Sequence, residues 1–289
     1  NAKTVSFKHL FGILNQPKYV PLSWCPIMME FEVVNNATDP IASFNNGQGS
    51  PFTSDNTSTS WQIQDVRIVC DVVTLDSALQ NSYAEMVLSG KSLPINYSTY
   101  ISQFQTITSA DFAINVSRSV TRLKSVFVTF DGDHTVSASQ SSQVHKNFNT
   151  FKHPMADVDY IPLTGYDYSK ELQWQLQIGS KMFPEYPARS IAETFYQLKK
   201  ALGIQGSAFH SLSFTPVQYR TDHFIIGVDT EKILEAGFTG LNTRSGDLMI
   251  VRGKYANSND STVWANSIYM VLHTDQILEI RDTGCQVFD

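Results

Sequence analysis

Trp61-Gln-Ile-Gln-Asp-Val-Arg-Ile-Val-Cys-Asp-Val-Val73 alternates. In an extended chain Val66, Ile68, Cys70 and Val72 fall on one face and Asp65, Arg67 and Asp71 on the other, the pattern of a strand with one face in a core and one in water. Sheets with one wet face are antiparallel as a rule, because parallel sheets carry helices on both sides. The same period recurs at 27–34, 92–104, 111–117, 123–130, 171–180, 223–229, 247–254, 263–273 and 276–281. With short pieces near 158–163 or 211–214, the sequence predicts about eleven strands.

Two helices interrupt them. Leu75, Ala78, Leu79, Tyr83, Met86 and Val87 follow helical spacing over 75–88, with Thr74 as the expected N-cap and Ser89-Gly90 as the stop. A second helix is expected over 188–202, preceded by Pro187, with Ile191, Phe195, Leu198 and Leu202 as its buried stripe and Gly203 just beyond it. A third, of one or two turns, is suggested between Asp229 and Gly237. Many strands and few helices predict an all-β sandwich.

Between Asn35 and Ser60, 21 of 26 residues are Asn, Ser, Thr, Gly, Pro, Asp or Gln, too polar to offset the entropy of ordering by burial, and an exposed loop is expected. Residues 131–149, centred on Ser137-Ala-Ser-Gln-Ser-Ser-Gln143, read the same way. A boundary near residue 105 fits best, where Gln103-Phe104-Gln105-Thr106 leaves one set of strands and Asp111 begins another.

The 289 residues are 42% hydrophobic and 17% charged, with a net charge of −6. That balance argues against wrapping nucleic acid, which needs clustered cations to release phosphate counterions. The three cysteines, Cys25, Cys70 and Cys285, are too far apart for a zinc pattern and odd in number, so they are expected as buried small hydrophobes. No window reaches the roughly 18 consecutive apolar residues of a membrane span. Asn1-Ala-Lys-Thr4 has neither an initiator Met nor a signal-peptide core, and reads as the start of a processed product or of a piece of a longer chain.

Catalytic signatures are weak. The seven histidines (9, 134, 145, 153, 210, 223, 273) form no i,i+2 or i,i+4 pair of the kind a metal cupin needs. Asp131-Gly-Asp-His134 lacks the later ligands of a calcium loop and reads as a turn. A nucleophile elbow and a P-loop are both missing. Glu30 with Glu32, and Asp65 with Asp71, would each share a strand face, which keeps a glycoside hydrolase in view, although solvated strand faces carry such acids routinely. Trp24, Trp61, Trp174 and Trp264 sit in or beside strand patterns, more as core or interface than as a sugar platform. Cofactors and catalytic residues are therefore expected to be none. In Leu172-Gln-Trp-Gln-Leu-Gln-Ile-Gly-Ser-Lys-Met-Phe-Pro-Glu-Tyr-Pro187 a strand ends at Gly179 and two prolines stiffen an aromatic connection into the helix. Phe183, Tyr186 and Tyr196 are the candidates there for a subunit contact or for capping the sandwich.

The order of strand 61–73, helix 75–88 and Ser89-Gly-Lys-Ser-Leu-Pro-Ile95 resembles the end of the first roll in double jelly-roll major capsid proteins of the adenovirus-hexon lineage, in its polinton-like and adintovirus-like branch. Arg122-Leu-Lys-Ser-Val-Phe-Val-Thr-Phe130 is similar to an early strand of their second roll, 176–187 and its helix to a later strand, turn and helix, and 264–273 with 276–281 to the closing hairpin. The resemblance implies residues 1–104 as part of a first jelly roll and 105–289 as a second. Two complete rolls need sixteen strands, so the first looks incomplete. A fragment, completion by another chain and an undercount of strands all stay open.

Further implications are a structural, non-enzymatic protein of the virion and a homotrimer mimicking a hexagon in an icosahedral shell. Its partners would be neighbouring capsomers and minor capsid or penton proteins, with double-stranded DNA enclosed without specific binding and an internal membrane as a further option beneath the shell. A carbohydrate-binding β-sandwich or a β-sandwich glycoside hydrolase is the alternative. Few charges, 18 Phe and 12 Tyr suit aromatic, hydrogen-bonded contacts between subunits. The two polar loops are expected on the outer surface or at capsomer edges, so protease added to intact assemblies should cut within 35–60 and 131–149 first; cleavage in the sandwich with both loops intact would contradict that placement.

Overall fold

The computed structural model describes residues 4–31, 62–132, 151–155, 171–204, 211–221, 223–231, 239–244, 246–255 and 265–289. Most of both polar stretches, the short strands expected near 158–163 and the turns expected after Thr230 lie outside the described residues. Nine strands are described: β1 (Leu93–Thr106), β2 (Asp111–Val116), β3 (Leu123–Gly132), β4 (Leu172–Ile178), β5 (Lys181–Ala188), β6 (Ile226–Asp229), β7 (Met249–Tyr255), β8 (Ala265–Arg281) and β9 (Gly284–Phe288). The helices are α1 (Gly12–Asn15), α2 (Ser77–Leu88), α3 (Ile191–Ala201) and α4 (Pro216–Thr221).

All strand pairs are antiparallel. Sheet one runs β1-β8-β3-β6, with β9 added along β8, and sheet two runs β2-β7-β4-β5. From β1 to β8 the chain changes sheet at every connection except the β4–β5 hairpin. Eight strands ordered 1-8-3-6 and 2-7-4-5 make a jelly roll, two Greek keys folded into a sandwich. The expected all-β sandwich is therefore present. The expected division at residue 105 cuts the end of β1, whose ladder with β8 runs unbroken from Leu93 opposite Ile280 to Thr106 opposite Ser267. Residues 93–104 thus belong to the same roll as the rest of the strands.

The core lies between the sheets. Alternate residues of β2 (Phe112, Ile114, Val116), β4 (Leu172, Trp174, Leu176, Ile178) and β7 (Met249, Val251, Tyr255) face Val126, Val128 and Phe130 of β3 and Ile268, Met270 and Leu272 of β8, all buried. Gly253 sits in the middle of β7, between Phe112 on one neighbour and Trp174 on the other. A Cβ there would stand 2.1 Å from the tip of the Phe112 ring, so the ring occupies the volume a side chain would fill. Where β5 and β6 form the edges of their sheets, α3 covers the side of the sandwich. Ser190 and Glu193 cap it reciprocally, Trp174 Nε1 donates to Thr194 Oγ1 at 2.9 Å, and Leu198 and Ala201 press on Gly227 of β6.

Several local expectations are corrected. The strands expected at 263–273 and 276–281 are one strand, β8, because Thr274-Asp-Gln276 holds no Gly or Pro and continues the ladder with β1. The closing hairpin comes later, at Asp282-Thr283 between β8 and β9. Residues 181–188, expected as a connection, are the edge strand β5, reached through a two-residue turn at Gly179-Ser180. Pro184 and Pro187 are tolerated there because the outer edge of an edge strand needs no donor. Asp76 rather than Thr74 caps α2, its Oδ1 accepting from Leu79 N at 2.7 Å. Asp131 and Gly132, expected in a turn, end β3. Gly203 takes the expected left-handed position after α3, with φ +68°.

The largest correction concerns the stretch that first suggested sheet. Residues 62–73 join no ladder and every one of them is exposed, as is most of α2, in which only Val87 is buried. Residues 27–31 are not strand either. Alternation reports which face a strand would hide; it does not supply the neighbour. Beside β1 lies α1 instead, so close that a Cβ on Gly12 would overlap Ser98 O, and Lys18 Nζ donates to Pro94 O at 3.1 Å.

Gly253→Ala should destabilise the protein by about 1–3 kcal/mol through overpacking, and Phe112→Leu in the same chain should recover part of the loss. Urea unfolding of the two single variants and the double variant measures both effects.

Candidate functional site

Polar chemistry gathers on the outer face of sheet one, around a bulge. Leu123 pairs with Thr274 but Ser125 pairs with His273, leaving Lys124 as an extra residue in β3. A bulge re-aims a side chain, and here Lys124 Nζ reaches 3.4 Å from Glu231 Oε1 and 3.7 Å from Asp275 Oδ1. Ser98 Oγ donates to the same Asp275 oxygen at 2.5 Å. Tyr100, His273 and Ser125 form one row across β1, β8 and β3. The Tyr100 ring stacks on the imidazole with centroids 4.8 Å apart, and Ser125 Oγ lies 3.3 Å from His273 Nδ1. Burial lowers the His273 pKa, Lys124 lowers it further and Asp275 opposes them.

Serine, histidine and a buried carboxylate are the donor set of nucleophilic hydrolysis. The geometry differs. Ser125 is 2% exposed, and it meets Nδ1, the nitrogen that an orienting acid would hold in a triad. Asp275 bonds instead to Ser98 and Lys124. The cluster ties β1, β8 and β3 together across their outer face around one buried carboxylate, of which Oδ1 is partnered and Oδ2 is not. Its members lie far apart in sequence and only the β1-β8-β3 register brings them together, so no motif signals it.

A second buried group joins the segment 151–155 to α4. His153 N donates to Arg220 O at 2.9 Å, Met155 N to His153 Nδ1 at 3.1 Å, and Arg220 Nη2 to Met155 O at 3.2 Å. The imidazole packs edge-on against Phe224 at 4.6 Å. Burial first, and the Arg220 charge second, hold the His153 pKa well below its ordinary value of 6.5, so the ring is neutral and accepts at Nδ1.

The sequence candidates separate. Phe183 packs against the core from β5, whereas Tyr186, 80% exposed, and Tyr196, 48% exposed, face outward. Phe195 rather than Tyr196 turns inward, its ring 5.0 Å from Tyr219. Trp174 is buried and Trp24 packs on a small second cluster of Ile95, Leu278 and Ile280; Trp61 and Trp264 lie outside the described residues. Asp65 is held by Arg67 at 2.8 Å, Asp71 and Glu30 are exposed, and Glu32 lies outside the described residues. A shallow groove of about 520 Å³ between α1 and β1 is lined by Lys8, His9, Gln16, Ser98 and Tyr100 among others, with no carboxylate on its wall. The cysteines depart from expectation: Cys70 and Cys285 are exposed and Cys25 half-buried. Among the described residues no three His, Cys, Asp or Glu side chains are placed to share a metal ion, and no helix is long and apolar enough to cross a membrane.

No family model matches the chain, and no curated protein matches it. Among solved structures it is similar to VP54 of PBCV-1, fitted into a reconstruction of the virophage Sputnik, with a TM-score of 0.44 and 9% identity over 74% of this chain and 55% of that one. A quasi-atomic structure of the PBCV-1 virus capsid gives 0.38 and 11% over 74% and 55%, and the cryo-EM structure of the Sputnik virophage gives 0.33 and 12% over 68% and 39%. The chain thus spans about half the length of the first two. The assignment of the fold rests on the strand order itself.

His153 gives the fold an acid limit. Its folded pKa is lowered, so below about pH 6.5 the unfolded chain binds a proton that the folded chain refuses, and stability falls by up to about 1.4 kcal/mol per pH unit until the folded pKa is reached. Above that range the contribution is constant. Thermal unfolding between pH 7.5 and about pH 5 should show the loss, and His153→Asn should shrink it.

Proposed function

We propose that this chain is a structural protein, a viral major capsid protein that acts as a tile in the shell of a virion. One observation carries the proposal: beside a jelly roll with a closed core, residues 62–73 present alternating apolar side chains that no described residue covers, Val69 being 95% exposed. Leu79, Leu88, Phe7, Leu10 and Met28 add to the uncovered apolar surface on the same part of the chain. A monomer rarely leaves so much apolar surface in water. In this reading a second copy of the chain covers 62–73 and α2, in a trimer of pseudo-hexagonal outline whose interfaces each exceed about 2,000 Å², as obligate assemblies do.

Residues 1–92 then stand as part of a first roll. Tyr186 on β5 and Tyr196 on α3, aromatic and exposed, are the further proposed subunit contacts, with Phe183 packed against the core from β5. Minor capsid or penton proteins are the proposed further partners, and double-stranded DNA, with or without an internal membrane, the proposed content. The net charge of −6 suits a shell that encloses DNA without gripping it. Catalysis has no part in this reading.

Light scattering and negative-stain microscopy of the purified protein should show trimers or shells, and Val69→Lys with Val72→Lys should release monomers while the far-ultraviolet dichroism of the sandwich stays unchanged. A wild-type monomer with affinity for glycans would favour the carbohydrate-binding alternative and end the capsid reading.

A further inference from the structure

Cys25 and Cys285 come from opposite ends of the chain and meet beside the small cluster of Ile95, Leu278 and Ile280. Cys285 lies on β9 opposite Ile280, and its Sγ donates to Trp24 O at 3.4 Å. Cys25 follows in the tight turn that starts at Pro21, where its N donates to Pro21 O at 2.9 Å, and it packs against the same cluster. Cys285 Sγ thus reaches the residue next to Cys25 in the chain, and Cys285 is near enough to help burial raise the Cys25 pKa. Both backbones are pinned, one by the ladder to β8 and the other by the turn, so the sulfurs are held together by the fold rather than by chance encounter. Cys70 has no share in this arrangement; it sits exposed on 62–73.

We propose that Cys25 and Cys285 form a reversible disulfide that staples the amino-terminal segment to the β8–β9 hairpin, with a low-molecular-weight disulfide of the glutathione type as oxidant. Cys285, the exposed partner, attacks one sulfur of oxidised glutathione as its thiolate; the sulfur–sulfur bond of glutathione breaks and one reduced glutathione leaves. Cys25 then gives its proton to solvent and attacks Sγ of Cys285, expelling the second glutathione. Two protein thiols are oxidised and one glutathione disulfide is reduced to two thiols. In the reduced pair burial, and after it the neighbouring Cys285, push the Cys25 thiol up to about 11, so Cys25 is the poorer first nucleophile.

The staple would matter because residues 4–31 contribute no strand to either sheet and are held by side-chain packing and a few hydrogen bonds. Closing so long a loop restricts the unfolded chain strongly. It does not depend on the capsid reading, and either can fail alone.

The test treats the folded wild-type chain with oxidised glutathione, quenches with acid and maps the thiols by mass spectrometry without reduction. The expected product has lost two hydrogens and yields a peptide joining Cys25 to Cys285. It melts roughly 5 °C or more above the reduced form and reverts with dithiothreitol. In Cys25→Ser the reaction should stop at a stable glutathione adduct on Cys285. A wild-type chain that accumulates that same adduct while Cys25 stays a free thiol, or that links either residue to Cys70 instead, would overturn the proposal.

Discussion

The register of one long strand governs this molecule. β8 pairs with β1 along fourteen positions, with β3 on its other side from Thr274 back to Ala265, and with β9 beyond the point where β3 ends. A slip of one residue would turn Ile268, Met270 and Leu272 out of the core and bring Tyr269, Val271 and His273 in. The bulge at Lys124 belongs to the same constraint. It lets Leu123 and Val126 both face inward while Lys124 and Ser125 both face the cluster around Asp275, so the charged patch exists because two ladders on β8 must agree.

Apolar pressure between the sheets is uneven. The centre holds large rings in contact, Phe112 against Phe130 and Tyr255, with Gly253 vacated to admit them. The end near residues 93–97 and 277–281 has its own small cluster, closed by Trp24, Val20 and Ile13 from outside the sheets. The amino-terminal segment therefore completes a core without joining a sheet, which is why its attachment depends on packing.

Much of the sandwich was legible because β2, β3, β4 and β7 each hide one face and wet the other, and period two is all that such a strand needs to declare itself. The helices α2 and α3 were legible from Pro, Gly and periodic Leu, although Asp76 rather than Thr74 caps the first and Ser190 caps the second; α1 and α4 are too short to show a period. The fusion of two expected strands into β8 was hidden because polar Thr274-Asp-Gln276 imitates a turn; Thr274 and Asp275 are in fact buried, held by Arg122 O and by Ser98. The cysteine pair was hidden by parity and by distance along the chain, since an odd count discourages pairing and 25 and 285 share no local signal. Residues 62–73 carry the alternation yet form no strand, because alternation cannot supply the partner that a ladder needs. Of the three aromatic candidates Tyr186 and Tyr196 are exposed, while Phe183 was drawn inward by the edge strand that the two prolines had disguised as a connection.

Those prolines reach beyond their own strand. With Pro184 and Pro187 lacking amide hydrogens on the outermost strand of sheet two, that border cannot accept a continuous main-chain ladder from a neighbouring molecule. Ribbon growth from that flank is blocked, so copies approaching there must meet through side chains, as separable bodies with a definite orientation rather than as an open-ended fibre.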